Sequence, residues 1–371
     1  MMTHPDRTKP IRVLVVDDSA IVRKILTDCL AAEPDIEVAG TAPDAIIARE
    51  KIRTLNPDVV TLDIEMPRLD GISFLREVMK DRPMPVIIIS SIAGRGCAAA
   101  LEAIEAGAVE VLAKPSGPYS VGDLRLVLAQ KVRSAARARI GAARPAAAAA
   151  GSPPVAPAMP VCSVPRGSAP GRVLVAMGAS TGGTEAIRHI LQHLPDTLPP
   201  IVIVQHIPAV FSRAFADRLD GLCRLRVSEA SGGEVLEPGI ALIAPGDSHM
   251  LIRRQGSRYT VEVRGGPRVC YQRPSVDVLF HSVADSAAEY AIGVLLTGMG
   301  SDGARGLLEM RRAGARTIAQ DERTSVVYGM PREAERMGAV ERVLPLDAIA
   351  AAICGAVESA ARGRALPAPA L

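Results

Sequence analysis

The chain has 371 residues, 48% hydrophobic and 22% charged, which is enough apolar material for two or three cores and too much for disorder throughout. Its 43 Lys/Arg against 40 Asp/Glu leave a net charge of only +3, and 2% of residues are aromatic. A nucleic-acid surface, which needs concentrated basic charge or rings for stacking, is therefore not expected.

In chain order, residues 10–131 form the first predicted domain. Short apolar runs at 11–16, 37–40, 58–62, 86–90 and 109–112 read as strands, and amphipathic stretches near 20–31, 43–54, 71–80, 97–106 and 121–139 as helices. Five β/α units predict a doubly wound, flavodoxin-like parallel sheet, which binds ligands beyond the carboxyl ends of its strands. Within 11–131 this domain is acidic, with 14 Lys/Arg against 18 Asp/Glu. Residues 132–170 carry five Arg and no acid, a run of five Ala and a Pro-rich stretch. They read as a flexible linker, helical up to about residue 140 and otherwise a solvated spacer. Residues 171–363 form a second α/β, Rossmann-like domain. Its strands are expected at 172–177, 201–205 and 292–296, with a β-hairpin excursion over 223–263, and residues 364–371 read as a frayed tail.

Six scattered cysteines without a C-x-x-C pair argue against a disulfide scaffold or a cysteine zinc site. No apolar run reaches the roughly 18 residues that cross a bilayer, and residues 1–10 lack an apolar signal core. A cytoplasmic protein with no membrane insertion is expected, with a monomer as the default.

Four strand ends of the first domain carry chemistry: Asp17 and Asp18 after the first, Asp63 after the third, Ser90 after the fourth and Lys114 after the fifth. Singly, such residues read as helix caps. Together they place three carboxylates at one sheet edge, where they repel unless a hard cation such as Mg²⁺ sits among them. A carboxylate beside Mg²⁺ and a lysine is equipped to attack a phosphoryl group. These residues, with Val15-Val16-Asp17-Asp18-Ser19, Asp63-Ile64-Glu65-Met66-Pro67, Asp70-Gly71, Ser90-Ser91 and Lys114-Pro115, resemble a response-regulator receiver domain. The resemblance implies that Asp63 takes a phosphoryl group from a histidine kinase. It also implies that Asp17 and Asp18 help to hold Mg²⁺, and that Ser90 and Lys114 sense the phosphoryl group.

In the second domain, Gly178-Ala179-Ser180-Thr181-Gly182-Gly183 satisfies G-x-S-x-G between a strand and a helix. That motif alone also fits a helix cap or a phosphate cradle, so Ser180 needs partners. Of the six histidines, His206 ends the strand 201–205, where a neighbouring parallel strand would bring it beside Ser180. His189 and His193 lie four apart on a helix without a third ligand and read as a solvated face, His281 lies within a helical stretch, and His249 is placed to line the cleft. Asp302, in the turn Thr297-Gly298-Met299-Gly300-Ser301-Asp302-Gly303, is a candidate to fix the His206 tautomer, with helix capping as the bland alternative. The same turn is able to aim an N–H at a developing oxyanion, a donor typically worth about 3–4 kcal/mol. The order Ser, His, Asp differs from that of an α/β-hydrolase.

With Gln205-His206-Ile207-Pro208, Ala244-Pro245-Gly246, His249-Met250, Arg273-Pro274-Ser275-Val276-Asp277, Gln320-Asp321 with Ser325, and Tyr328-Gly329-Met330-Pro331, the second domain resembles the chemotaxis protein-glutamate methylesterase family. The resemblance implies Ser180 as nucleophile, His206 as general base and acid, Asp302 as orienting carboxylate, and Thr181 with the Met299 N–H at the oxyanion. The implied substrate is a glutamate γ-methyl ester, or a glutamine, on the cytoplasmic region of a methyl-accepting chemoreceptor, hydrolysed without a cofactor. It further implies that the receiver covers the Ser180 cleft until Asp63 is phosphorylated. Other readings are the same chemistry on another pathway's receptors, a hydrolase for a different ester or amide, a catalytically silent phosphorylation-switched adaptor, and a transcription regulator. No helix-turn-helix follows the linker to support the last of these.

Overall fold

The computed structural model describes residues 9–66, 69–91, 95–114, 121–140, 172–256 and 258–361. The expected linker beyond residue 140 and the tail 364–371 lie outside the described residues. The chain divides into two compact units, Met1–Gly141 and Ala142–Leu371.

The first unit alternates β1 (Ile11–Val16), α1 (Ala20–Ala31), β2 (Ile36–Ala42), α2 (Ala45–Leu55), β3 (Val59–Asp63), α3 (Gly71–Asp81), β4 (Val86–Ser90), α4 (Arg95–Glu105), β5 (Glu110–Ala113) and α5 (Val121–Ala135). Its strands form one parallel sheet in the order β2-β1-β3-β4-β5. β3 and β4 are buried at every residue, as central strands of a sheet covered on both faces must be. Side chains placed just before the helices start them: Ser19, Asp44 and Asp70 accept from the N–H groups of Val22, Ile47 and Ser73. The register Val16↔Leu62 sets Asp17 level with Asp63 at the carboxyl edge.

The second unit runs β6 (Leu174–Ala179), α6 (Gly183–Gln192), β7 (Ile201–Gln205), α7 (Ala209–Asp220), β8 (Arg226–Glu229), β9 (Ile240–Ile243), β10 (His249–Gln255), β11 (Arg258–Arg264), α8 (Val276–Ala287), β12 (Ala291–Leu295), α9 (Ala304–Arg312), β13 (Arg316–Gln320), α10 (Met330–Arg336), β14 (Arg342–Leu344) and α11 (Leu346–Ala361). Seven of these strands make a parallel sheet in the order β14-β13-β12-β6-β7-β9-β8. β6, β7 and β12 at its centre are wholly buried. The hairpin expected over 223–263 is narrower than that span. β8 and β9 join the parallel sheet as its edge, and only β10 and β11 pair as an antiparallel ribbon. Met250 and Ile252 of the ribbon pack into the same core as Leu279 and Phe280 of α8.

β6 lies between β7 and β12, so the chain reverses its direction of travel across the sheet at β6. Clefts open at such reversals, outside the carboxyl ends of the strands. Cys29, Cys97, Cys223 and Cys270 are free thiols.

Candidate functional site

Ser180 directly follows β6, His206 directly follows β7, and Asp302 lies in the turn between β12 and α9. The pair Ala179↔Gln205 in the β6–β7 register makes Ser180 and His206 the next residues on adjacent strands. Their loops are tied by hydrogen bonds from the His206 N–H to the Ala179 carbonyl (3.1 Å) and from the Ser180 N–H to the Thr297 carbonyl (3.0 Å). Small residues allow this convergence. A Cβ on Gly298 would lie 2.7 Å from the Ser180 Cβ and 2.3 Å from the Met330 sulfur, and Gly182 has φ +77° at the start of α6.

Ser180, His206 and Asp302 are all buried. The His206 Nε2 lies 2.8 Å from the Asp302 Oδ2. With Nε2–H donating to that carboxylate, Nδ1 is the unprotonated nitrogen, and it is buried without a hydrogen-bond partner. The ring therefore carries a bare, buried base; in the usual triad the two nitrogens have the opposite assignment. The Ser180 hydroxyl makes no hydrogen bond to this ring.

Asp302 is saturated. Its Oδ1 accepts from the Ser275 hydroxyl (2.7 Å) and the Asp277 N–H (3.0 Å), and its Oδ2 also accepts from the Val276 N–H (2.7 Å). Two of these donors are the first N–H groups of α8, where the helix dipole favours an anion. Burial alone would raise the pKa of Asp302. The hydrogen bond and charge of His206, with the Asp277 and Ser275 donors, outweigh it and hold the carboxyl below its ordinary value.

Thr181 is buried, and its carbonyl accepts from the Thr297 hydroxyl (2.9 Å). The Met299 N–H is on the Gly-rich turn after β12, and Gln320 fixes the start of that turn by accepting from the Thr297 N–H (2.9 Å). Gln205 donates to the Ser180 carbonyl (2.9 Å). His249 is buried beside Ser275, whose N–H donates to its Nδ1. His189, expected on a solvated face, is half-buried with its Nε2 2.9 Å from Asp347, and His281, on α8, faces Glu309.

In the first unit, Asp17, Asp18 and Asp63 bring carboxylate oxygens within 4.8 Å of one another. Lys114 Nζ lies 2.7 Å from Asp63 and 3.0 Å from Asp17. Burial, together with the charge of Asp17, pushes Asp63 up to about 6 against the opposing effect of Lys114. The Asp17 Oδ2 is fully buried, and Lys114 is its ion-pair partner. Burial would lower the Lys114 pKa, but its bonds to Asp63 and Asp17 raise it. Ser90 is buried at the end of β4, and its carbonyl accepts from the Lys114 N–H (2.8 Å).

Residues 175–353 match the family model of the CheB methylesterase, and residues 13–123 match that of the response regulator receiver domain. A protein-glutamate methylesterase/protein-glutamine glutaminase of Anaeromyxobacter dehalogenans is 56% identical over 346 residues, covering 92% of this chain and 95% of that protein. The chain belongs to the protein-glutamate methylesterase/protein-glutamine glutaminase family. Within this methylesterase family, a relative from Syntrophus aciditrophicus is 52% identical over 92% of this chain and 97% of its own. One from Salmonella typhi is 51% identical over 91% and 95%. The residues of this methylesterase whose contacts sequence reasoning did not find are Gln205, His249, Ser275 and Gln320. All four lie in motifs that carried the resemblance, and that was the available signal.

Proposed function

We propose that this chain is a phosphorylation-activated serine hydrolase that removes γ-methyl esters from glutamates, and amides from glutamines, of a methyl-accepting chemoreceptor's cytoplasmic region. The observation that carries the reading is the buried His206 ring, tied through Nε2 to a saturated carboxylate, with Nδ1 bare one strand away from Ser180.

The Ser180 oxygen attacks the ester carbonyl carbon while its proton passes to the His206 Nδ1. Asp302 stabilises the imidazolium and keeps the ring oriented. Negative charge develops on the carbonyl oxygen, where Thr181 and the Met299 N–H are the proposed stabilisers. The C–O bond to methanol breaks as His206 returns the proton to the leaving oxygen, leaving an acyl group on Ser180. Water, deprotonated by His206, then attacks this acyl group, releasing glutamate and restoring the serine. With a glutamine the same steps release ammonia. None of them calls for a cofactor.

Asp63 is the proposed phosphoryl acceptor from a histidine kinase. Its carboxylate attacks phosphorus, the bond from phosphorus to the donor's nitrogen breaks, and an acyl phosphate forms, with Ser90 and Lys114 placed to read it. Asp17, Asp18 and Asp63 suit Mg²⁺: the ion takes oxygen ligands, the three carboxylates bring oxygens within 4.8 Å of one another, and the single positive charge of Lys114 leaves Asp63 still pushed up to about 6. When bound, the ion would supply positive charge that offsets the transferring oxygens. The proposed organisation is a receiver over 10–131, a linker over 132–170 and a catalytic domain over 171–363. The chain is proposed to act as a cytoplasmic monomer; among the described residues no helix is long and apolar enough to cross a membrane.

Ser180→Ala tests the reading. It should abolish methanol release from methyl-labelled receptor membranes and leave phosphoryl uptake by Asp63 intact. Methanol release at the wild-type rate would remove Ser180 from the chemistry.

A further inference from the structure

A second buried histidine stands behind the acid of the site. His249, at the start of β10, is buried and makes two polar contacts. Its Nδ1 accepts from the Ser275 N–H (3.2 Å), and its Nε2 lies 2.9 Å from the Pro267 carbonyl. The carbonyl is only an acceptor, so Nε2 carries the proton and Nδ1 is free to accept: both contacts demand the same neutral tautomer.

Ser275 is the N-cap of α8 and has no exposed surface. Its hydroxyl donates to the Asp302 Oδ1 at 2.7 Å and accepts from the Val278 N–H at 3.4 Å. The next two N–H groups, of Val276 and Asp277, are the other donors that α8 supplies to Asp302. Whatever sets the position of the Ser275 backbone therefore sets three of the four contacts that hold Asp302. His249 takes the one backbone N–H that precedes them.

We propose that His249 is a positioning residue for the hydrolysis: by accepting from the Ser275 N–H it fixes the first turn of α8, and through it the carboxylate that orients His206. This rests on the Ser180, His206 and Asp302 reading. Displacing a catalytic group by about 1 Å costs up to about a hundredfold in rate.

Two substitutions separate this role from mere anchoring of the loop. In His249→Asn the amide oxygen replaces Nδ1 and keeps the Ser275 contact, losing the one to Pro267. In His249→Gln the amide nitrogen replaces Nε2 and keeps the Pro267 contact, losing the one to Ser275. In the full-length protein, kcat for methanol release should stay within about threefold of wild type for His249→Asn, and fall about ten- to a hundredfold for His249→Gln and His249→Ala, with KM little changed. Equal kcat for the Asn and Gln variants, or a wild-type kcat for the Ala variant, would overturn the proposal. If His249→Ala does not fold, the Asn and Gln pair decides through a second readout: the low-field NMR signal of the His206–Asp302 proton should shift in His249→Gln and stay in His249→Asn, and an unmoved signal with wild-type kcat in His249→Gln overturns the proposal. Ser180→Ala in parallel keeps the two readings apart. If it remains active the triad reading fails, and if it is dead while the His249 variants are fully active, only the positioning role fails.

Discussion

Asp63 and Asp302 are both buried carboxylates just beyond strands of a parallel sheet, and they are held in opposite ways. Asp63 shares its pocket with Asp17 and Asp18, shares the cation Lys114 with Asp17, and is pushed up to about 6. Asp302 receives four donors, two of them from a helix N-terminus, and is held below its ordinary value. Burial acts on both in the same direction, so the partners decide the difference. A buried carboxylate crowded by other carboxylates is poised to bond a cation or a phosphoryl group. A carboxylate with every lone pair engaged serves to hold something else in place.

The largest effect that would break this contrast is on Asp302. Asp302→Asn should cut methanol release by about 10³–10⁴ while phosphoryl uptake by Asp63 stays at the wild-type level, because an amide no longer enforces the His206 tautomer. Loss of phosphoryl uptake in that variant would mean the two pockets are not separate in function. Next, chelating Mg²⁺, or Asp17→Asn, should lower phosphoryl uptake on the order of a hundredfold and leave unstimulated methanol release unchanged. A smaller effect is on stability. Mg²⁺ at about a hundredfold excess over its Kd should stabilise the first unit by about 2.7 kcal/mol in denaturant melts, and Asp17→Asn should erase the gain. Smallest is Ser275→Ala, which removes one of the four donors and an N-cap. About 1 kcal/mol of stability should be lost, with a rate loss well short of that of Asp302→Asn. A rate loss equal to that of Asp302→Asn would show that Asp302 depends on one donor rather than four.

Much of both pockets was legible in the sequence because their reactive residues directly follow continuous apolar runs. Ile201 to Gln205 reads as a buried strand, so His206 reads as its end. The strands β8, β13 and β14 were not legible. Arg226–Glu229 and Arg342–Leu344 are three or four residues long and largely exposed, too short to show a period, and Arg316–Gln320 mixes polar and apolar residues. β8 was absorbed into a supposed hairpin for that reason. The supports of the site were hidden differently. Ser275 meets Asp302 across 27 residues of chain and His249 across 26, contacts that only the packing of α8 against the sheet creates. A local reading takes Ser275 for a helix cap, which it is, and stops there. His249 was expected to line the cleft because it follows Ala244-Pro245-Gly246, and its contact with the Ser275 N–H is not visible in that local reading.

The most direct measurement is methanol release from methyl-labelled receptor membranes by the wild type and by Asp63→Asn, each with and without a small phosphodonor and Mg²⁺. The wild type should accelerate when the phosphodonor is present, and Asp63→Asn should run at the unstimulated rate under both conditions. Stimulation of Asp63→Asn, or a wild type indifferent to the phosphodonor, would contradict the account of one acid that reacts and another that holds.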